Sequence, residues 1–167
     1  MITSEIEKAL NQQINAELES FYVYLSMVAY MESINLLGFA SWMRLQAEEE
    51  MVHAMKIYDF VHERDGRVSL ESIPKPPSEW KDATEVFQSA YRQEEEITEK
   101  INVIVDMALR VSDHATHTFM QWFVTEQVEE LATVNAIIQK LKLIEGAPGG
   151  LFLLDQEMSK RAPGETE

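Results

Sequence analysis

The stretch QAEEEMVHAMKIYDF, residues 46–60, has helical periodicity but puts ionisable groups where a helix should be apolar. Stepping by three and four through it and its flank gives Phe39, Met43, Gln46, Glu50, His53, Ile57 and Phe60. Residues at that spacing share one helix face, the face that turns toward a core. The two ends of the line are apolar. Its centre is an amide, a carboxylate and an imidazole.

Three other segments repeat the pattern. One runs Leu10, Ile14, Glu17, Phe21, Tyr24, Val28; the next Phe87, Ala90, Glu94, Ile97, Ile101, Ile104, Ala108; the last Met120, Phe123, Gln127, Glu130, Val134, Ile137, Leu141. Breaks between them are few: INLLG (34–38), the proline-bearing GRVSLESIPKPPSEW (66–80), RVSDH (110–114) and EGAPGG (145–150). Ser112 or Asp113 suits a helix N-cap. The predicted elements are four long helices at about 5–33, 36–64, 82–110 and 113–144, a shorter helix at about 151–160, and a frayed tail over 161–167. VSLESI (68–73) is too short to build a sheet. Short turns make the first and second helices antiparallel neighbours, and likewise the third and fourth. The link from Asp65 to Lys81 could span about 55 Å when extended. A helix of about 28 residues, such as the predicted long ones, is about 42 Å long. The link therefore reaches from one end of a bundle to the other and sets helices two and three parallel. The expected fold is all-α, a four-helix bundle with one long crossover and a short fifth helix, with residues 1–167 as a single domain.

In such a bundle the midpoints of the four helices share one level, so Glu17, Glu50, Glu94 and Glu130 converge. Burying an unpaired carboxylate costs several kcal/mol, and four together repel one another and raise their pKa values. A domain is stable by only about 5–15 kcal/mol in total. No lysine or arginine lies at the centres of these lines. Two divalent cations would balance four carboxylates. Glu50 and His53, three residues apart, aim at one ion from one helix face. Oxygen ligands with one imidazole suit iron or manganese, and zinc by affinity.

The composition agrees. The chain has 167 residues with 14 basic against 29 acidic, a net charge of −15, so nucleic acid and anionic membranes are not expected partners, and cations are plausible ones. With no cysteine, disulfides, cysteine-ligated zinc and iron–sulfur clusters are excluded. MITSEIEKALNQQ carries no signal-peptide pattern and no apolar run approaches a membrane span, so a cytoplasmic protein is expected.

Four elements in order, at consistent depths, carry a family likeness: NAELESFYVYLSM with Glu17 and Tyr24, EEEMVHAM with Glu49, Glu50 and His53, Glu94 in RQEEEI, and QWFVTEQVEE with Trp122, Glu126, Gln127, Glu129 and Glu130. Over nearly its whole length the chain resembles the non-haem ferritins of the prokaryotic type. The resemblance implies a ferritin-like bundle with a di-iron ferroxidase centre that oxidises Fe(II) with dioxygen, the ferric product being stored as mineral inside a homo-oligomeric shell of 24 subunits. By similarity Glu17, Glu50 and His53 hold one iron, Glu50 bridges, and Glu94 and Glu130 hold the other. Gln127 lies behind them. Tyr24, with Trp122 nearby, serves as electron donor, as hydrogen-bond partner, or simply as core aromatic packing. Glu49, Glu126 and Glu129 with Glu130 resemble the family's third iron site, or are solvated charges. His114 and His117 are either pore-lining or ordinary surface residues at a helix start. Bacterioferritins repeat E-x-x-H on the fourth helix, whereas here Gln127-Val-Glu-Glu130 has no histidine, so no haem is expected even though Met51 stands where bacterioferritins ligate it. Rubrerythrins need a cysteine-ligated iron domain. LFLLDQEM (151–158) resembles the fifth helix that packs near a symmetry axis of the shell. The alternative on the same fold is a di-iron or di-manganese oxidase or peroxide scavenger that stores nothing. Outside that class stands a metal-free helical interaction module.

Overall fold

The computed structural model describes residues 2–163. Five helices follow in order: α1 (Ser4–Ser33), α2 (Leu37–Glu63), α3 (Ala83–Arg110), α4 (His114–Leu143) and α5 (Pro148–Met158), with no strand among the described residues. Four agree with the sequence reading to within a residue at each end. The fifth starts earlier than expected, because Pro148 opens the helix in its first turn instead of stopping the one before. The expected tail over 161–167 falls partly on described residues. Arg161 is packed into the protein, and residues 164–167 lie outside the described residues.

Three helices end in the same way. After α1, the amide of Asn35 bonds to Glu32 O and that of Leu36 to Met31 O. After α2, Asp65 bonds to His62 O and Gly66 to Val61 O, and after α3, Ser112 to Leu109 O and Asp113 to Ala108 O. Each is a Schellman closure, which needs one residue in the left-handed region. Asn35, Asp65 and Ser112 supply it at φ 59°, 55° and 57°. Ser112 is therefore the turn residue, and Asp113 is the N-cap, accepting the amide of Thr116 at 3.1 Å.

The ends fix the topology. Ile2 N bonds to Arg64 O, joining the start of α1 to the end of α2. Arg110 pairs with Glu5, bringing the end of α3 to the same place. Helices α2 and α3 are thus parallel, as the long link requires. That link is strapped along α1. Asn11 donates to Arg67 O at 2.9 Å and accepts from Ser69 N at 2.7 Å, Glu7 accepts from Arg67 N at 3.0 Å, and Asn15 accepts from Glu71 N at 3.3 Å. Positions 7, 11 and 15 form one outward stripe of α1, so the helix supplies the partners that a loop backbone otherwise takes from water. Further along, Ser26 donates to Pro77 O at 2.5 Å and Trp80 packs edge-on against Tyr30.

The core is divided. One apolar cluster gathers Met27, Met31, Phe39, Trp42, Met43, Phe87, Ile137 and Leu141. The other gathers Ile6, Leu10, Ile14, Ile57, Val61, Ile101, Ile104 and Phe123. Between them lies a layer of buried polar side chains: Gln13, Glu17, Gln46, Glu50, His53, Glu94, Gln127 and Glu130. The four periodic lines of the sequence are buried except for Phe21 and Phe60, which are half-buried at the rim.

Helix α5 closes one end. Leu154 and Met158 enter the first cluster. Helix α2 has no side-chain cap of its own; Asp155 provides one, its Oδ1 accepting Phe39 N at 3.0 Å. The two backbones touch here. A Cβ on Gly38 would lie 1.7 Å from the Asp155 carbonyl oxygen. The glycine that reads as a turn signal is in fact a helical residue kept small for this approach. Gly38→Ala forces α5 off α2 and is expected to cost about 1–3 kcal/mol, read as a lowered melting temperature together with faster proteolysis between α4 and α5. Wild-type values in both would show that α5 does not depend on this contact.

Candidate metal centre

Each helix brings one glutamate to the polar layer, and the neighbours of each differ. Glu17 Oε1 accepts from Gln13 Nε2 at 2.7 Å, one turn earlier on α1. Glu94 accepts twice, from the Tyr24 hydroxyl at 2.6 Å and from Gln127 Nε2 at 3.1 Å. Glu130 Oε2 accepts from Gln46 Nε2 at 2.6 Å. Glu50 has nothing comparable: both of its oxygens, and the second oxygen of Glu17, are buried without a hydrogen-bond partner among the described residues. Among the described residues the one cationic candidate beside Glu50 is His53, whose Nδ1 is 3.8 Å from Glu50 Oε2.

Orphaned carboxylate oxygens at this depth are expensive and rare. Here they converge. Glu17, Glu50 and His53 each offer one ligand atom, all within 4.8 Å of one another. His53, Glu126 and Glu130 form a second group of the same kind. His53 is held edge-on by Trp122 and Phe123, at ring separations of 5.4 and 5.9 Å. The donor set of oxygens and one imidazole, with its unshared lone pairs, fits a hard or borderline divalent cation.

Electrostatics describe the same need. Burial raises the Glu17 carboxyl well above its usual range, and the charge of Glu50 adds to it. Burial raises Glu50 too, with Glu94 and then Glu130 adding. Glu94 rises less, because burial is opposed by the hydrogen bonds from Tyr24 and Gln127. Burial, then the charges of Glu94 and Glu49, carry Glu130 from 4.5 up to about 8. The Tyr24 hydroxyl is pushed well up by burial and by Glu94, so it stays a donor. Without a cation, burial favours the neutral form of each of these carboxyls.

The other expected residues are arranged less evenly. Glu126 is half-buried and belongs to the second group; Glu129 is exposed, and its charge helps to raise Glu126, after burial and against His53. Glu49 is not free, because Arg161 Nη2 donates to its Oε2 at 2.6 Å. Trp122 is half exposed, with the Lys56 ammonium 4.3 Å above its ring. His114, exposed, and His117, half-buried, lie in the first turn of α4 and belong to neither group. Sequence reasoning passed over Gln13 and gave Gln46 no task; both stand four residues before a buried glutamate, and that spacing was the available signal. Arg161 had none.

Comparison with known proteins agrees with this arrangement. Residues 7–144 match the family model described as a ferritin-like domain. A bacterial non-heme ferritin of Bacteroides fragilis is 37% identical over 161 residues, 96% of this chain and 100% of that protein. An open pore ferritin from the hyperthermophilic archaeon Archaeoglobus fulgidus superposes with a TM-score of 0.96 at 48% identity, covering 97% of this chain and 100% of the other. A closed form of the Archaeoglobus fulgidus ferritin engineered by site-directed mutagenesis gives a TM-score of 0.95 at 48% identity, covering 97% and 99%.

The pH dependence has a definite sign. Below 4.5 the Glu130 carboxyl is neutral in the folded and unfolded chain alike; between there and about 8 only the folded chain keeps the proton. The metal-free protein therefore loses stability as pH rises through that window. Its melting temperature should fall across this interval, the fall should be shallower in Glu130→Gln, and saturating Co(II) should abolish it. A melting temperature that climbs with pH over the same range would mean that these carboxyls are not held neutral.

Proposed function

The chain belongs to the ferritin family, and from that footing we propose that it stores iron: Fe(II) is its substrate, dioxygen the acceptor, and a ferric oxide mineral the product. The observation that carries the reading is Glu50, whose two carboxylate oxygens are buried without a donor amid Glu17, Glu94, Glu130 and His53. Glu17, Glu50 and His53 take the first Fe(II). Glu50 uses its other oxygen to bridge to a second, held by Glu94 and Glu130. A third binds between Glu126, Glu129, Glu130 and Glu49, on the outward side of His53.

The remaining residues prepare those ligands. Gln13 and Gln46 each hold one oxygen, of Glu17 and of Glu130, and leave the other for metal, while Tyr24 and Gln127 take one oxygen each of Glu94, which binds metal through the lone pairs those bonds leave. Protonated carboxyls must give up their protons as iron enters, so loading releases acid. Each iron then yields one electron to dioxygen, and hydrolysis of Fe(III) releases further protons as the mineral forms. Tyr24, bonded to Glu94 at 2.6 Å, either donates an electron or holds that ligand in place.

A storage role needs an enclosure. Leu143, Phe152 and Leu153 are exposed at 85%, 62% and 65%, around the start of α5. Apolar groups clustered this way mark a surface that another chain covers. We assign them to the contacts of a hollow homo-oligomer, with 24 subunits as the family's likeness suggests, in either an open or a closed shell. No helix of the described residues is long and apolar enough to cross a membrane, and we place the protein in the cytoplasm.

Purified metal-free protein, mixed anaerobically with excess Fe(II) and then exposed to air, should give a soluble amber product holding many irons per chain, in a peak that elutes as a large assembly. His53→Ala and Glu130→Ala should slow the initial oxidation by at least about tenfold, with loss of one bound iron each. Tyr24→Phe should keep the binding stoichiometry and alter only the oxidation rate. Uptake that stops at about two irons per chain would instead establish a non-storing oxidase or peroxide scavenger, and no uptake would leave only a helical interaction module.

A further inference from the structure

Beyond α5 the chain turns back along α2 and delivers one buried cation. The Arg161 side chain is 4% exposed. Its guanidinium lies over the Trp42 ring, with Cζ 4.7 Å from the centroid. Nη1 donates to Gln46 Oε1 at 3.0 Å, and Nη2 to Glu49 Oε2 at 2.6 Å. Phe39, Trp42, Gln46 and Glu49 are successive steps of three and four on α2, so the C-terminal segment follows one stripe of that helix from its capped end to the polar layer.

Two consequences follow from donor and acceptor chemistry. Arginine offers only donors. Gln46 must therefore turn its oxygen to Arg161, and its NH2 can only face Glu130, which it meets at 2.6 Å. Glu49, meanwhile, is already neutralised by a guanidinium held by stacking and by a second hydrogen bond.

We infer that Arg161 is a positioning residue and internal counter-cation of the third iron site: it orients Glu130 through Gln46, and it occupies Glu49, which a metal ion entering that site must take from it. The inference rests on the proposed function, since it presupposes that Glu49 and Glu130 are metal ligands. Arg161 thus makes the third site the weak one, from which iron passes on instead of staying.

The test is anaerobic calorimetric titration of the assembled, metal-free protein with Co(II), comparing wild type, Arg161→Gln and Arg161→Lys. Arg161→Gln should bind the third ion about tenfold more tightly and, with Gln46 no longer held toward Glu130, the second inner ion more weakly, while the first inner ion stays within threefold of wild type. Arg161→Lys keeps the charge and should stay near wild type at the third site. Damage to the packing alone would weaken sites, not tighten one. A third site unchanged or weakened in Arg161→Gln, or absent from all three proteins, overturns the inference while the two inner sites keep the proposed function. A wild type without two tight ions overturns the function and the inference together. Should Arg161→Gln fail to assemble, a Co(II)-soaked crystal of wild type decides: the guanidinium should have left Glu49 wherever the third ion is bound, and an undisturbed Arg161–Glu49 pair beside a bound ion refutes the role.

Discussion

Glu50 brings two carboxylate oxygens to the centre of a bundle where no side chain among the described residues donates to either. Much of the fold follows from that constraint. Four glutamates at one level cannot be packed against each other as ions, nor diluted into an apolar core. The protein separates its apolar residues into two clusters instead, and gives the space between them to amides, a phenol and an imidazole. Gln13 and Gln46 satisfy one oxygen each of Glu17 and Glu130, Tyr24 and Gln127 satisfy both of Glu94, and the two of Glu50 stay unsatisfied. The polar layer is thus incomplete as protein chemistry, and its donor set suits a divalent metal.

The architecture serves that layer. Each helix runs well past it on both sides, and the apolar flanks lock its position. The Schellman turns at Asn35, Asp65 and Ser112 and the strap along Glu7, Asn11 and Asn15 fix the helices lengthwise. Lengthwise register is what a metal site needs, because sliding one helix by a single turn, about 5.4 Å, would remove its glutamate from the group. The Arg64 guanidinium adds a tie between the end of α2 and Asp113 at the start of α4, at 3.1 Å.

The main features were legible in the sequence for a simple reason: helical periodicity is a strong signal, and a glutamate on an apolar seam violates it openly. The four buried glutamates and His53 stood out as such violations, and the length of the proline-bearing link dictated a parallel pair. The features that were not legible depend on contacts distant along the chain. Gly38 resembles any turn glycine until the backbone of Asp155 is seen against it. Pro148 reads as a terminator because the same residue that ends one helix can open another. Arg161 lies among residues with every mark of a loose tail; only the docking of α5 through Leu154, Asp155 and Met158 carries it to Gln46 and Glu49.

The three left-handed residues have a further implication. None of Asn35, Asp65 and Ser112 is glycine, yet each holds a backbone conformation that costs a side-chain-bearing residue about 1 kcal/mol or more, aspartate and asparagine less than most. All three sit at the bundle's extremities, remote from the buried glutamates. Glycine at these corners would relieve that tension three times in every subunit. In a shell of many copies the gain recurs at every corner, a route to heat tolerance that leaves the oxidation chemistry untouched.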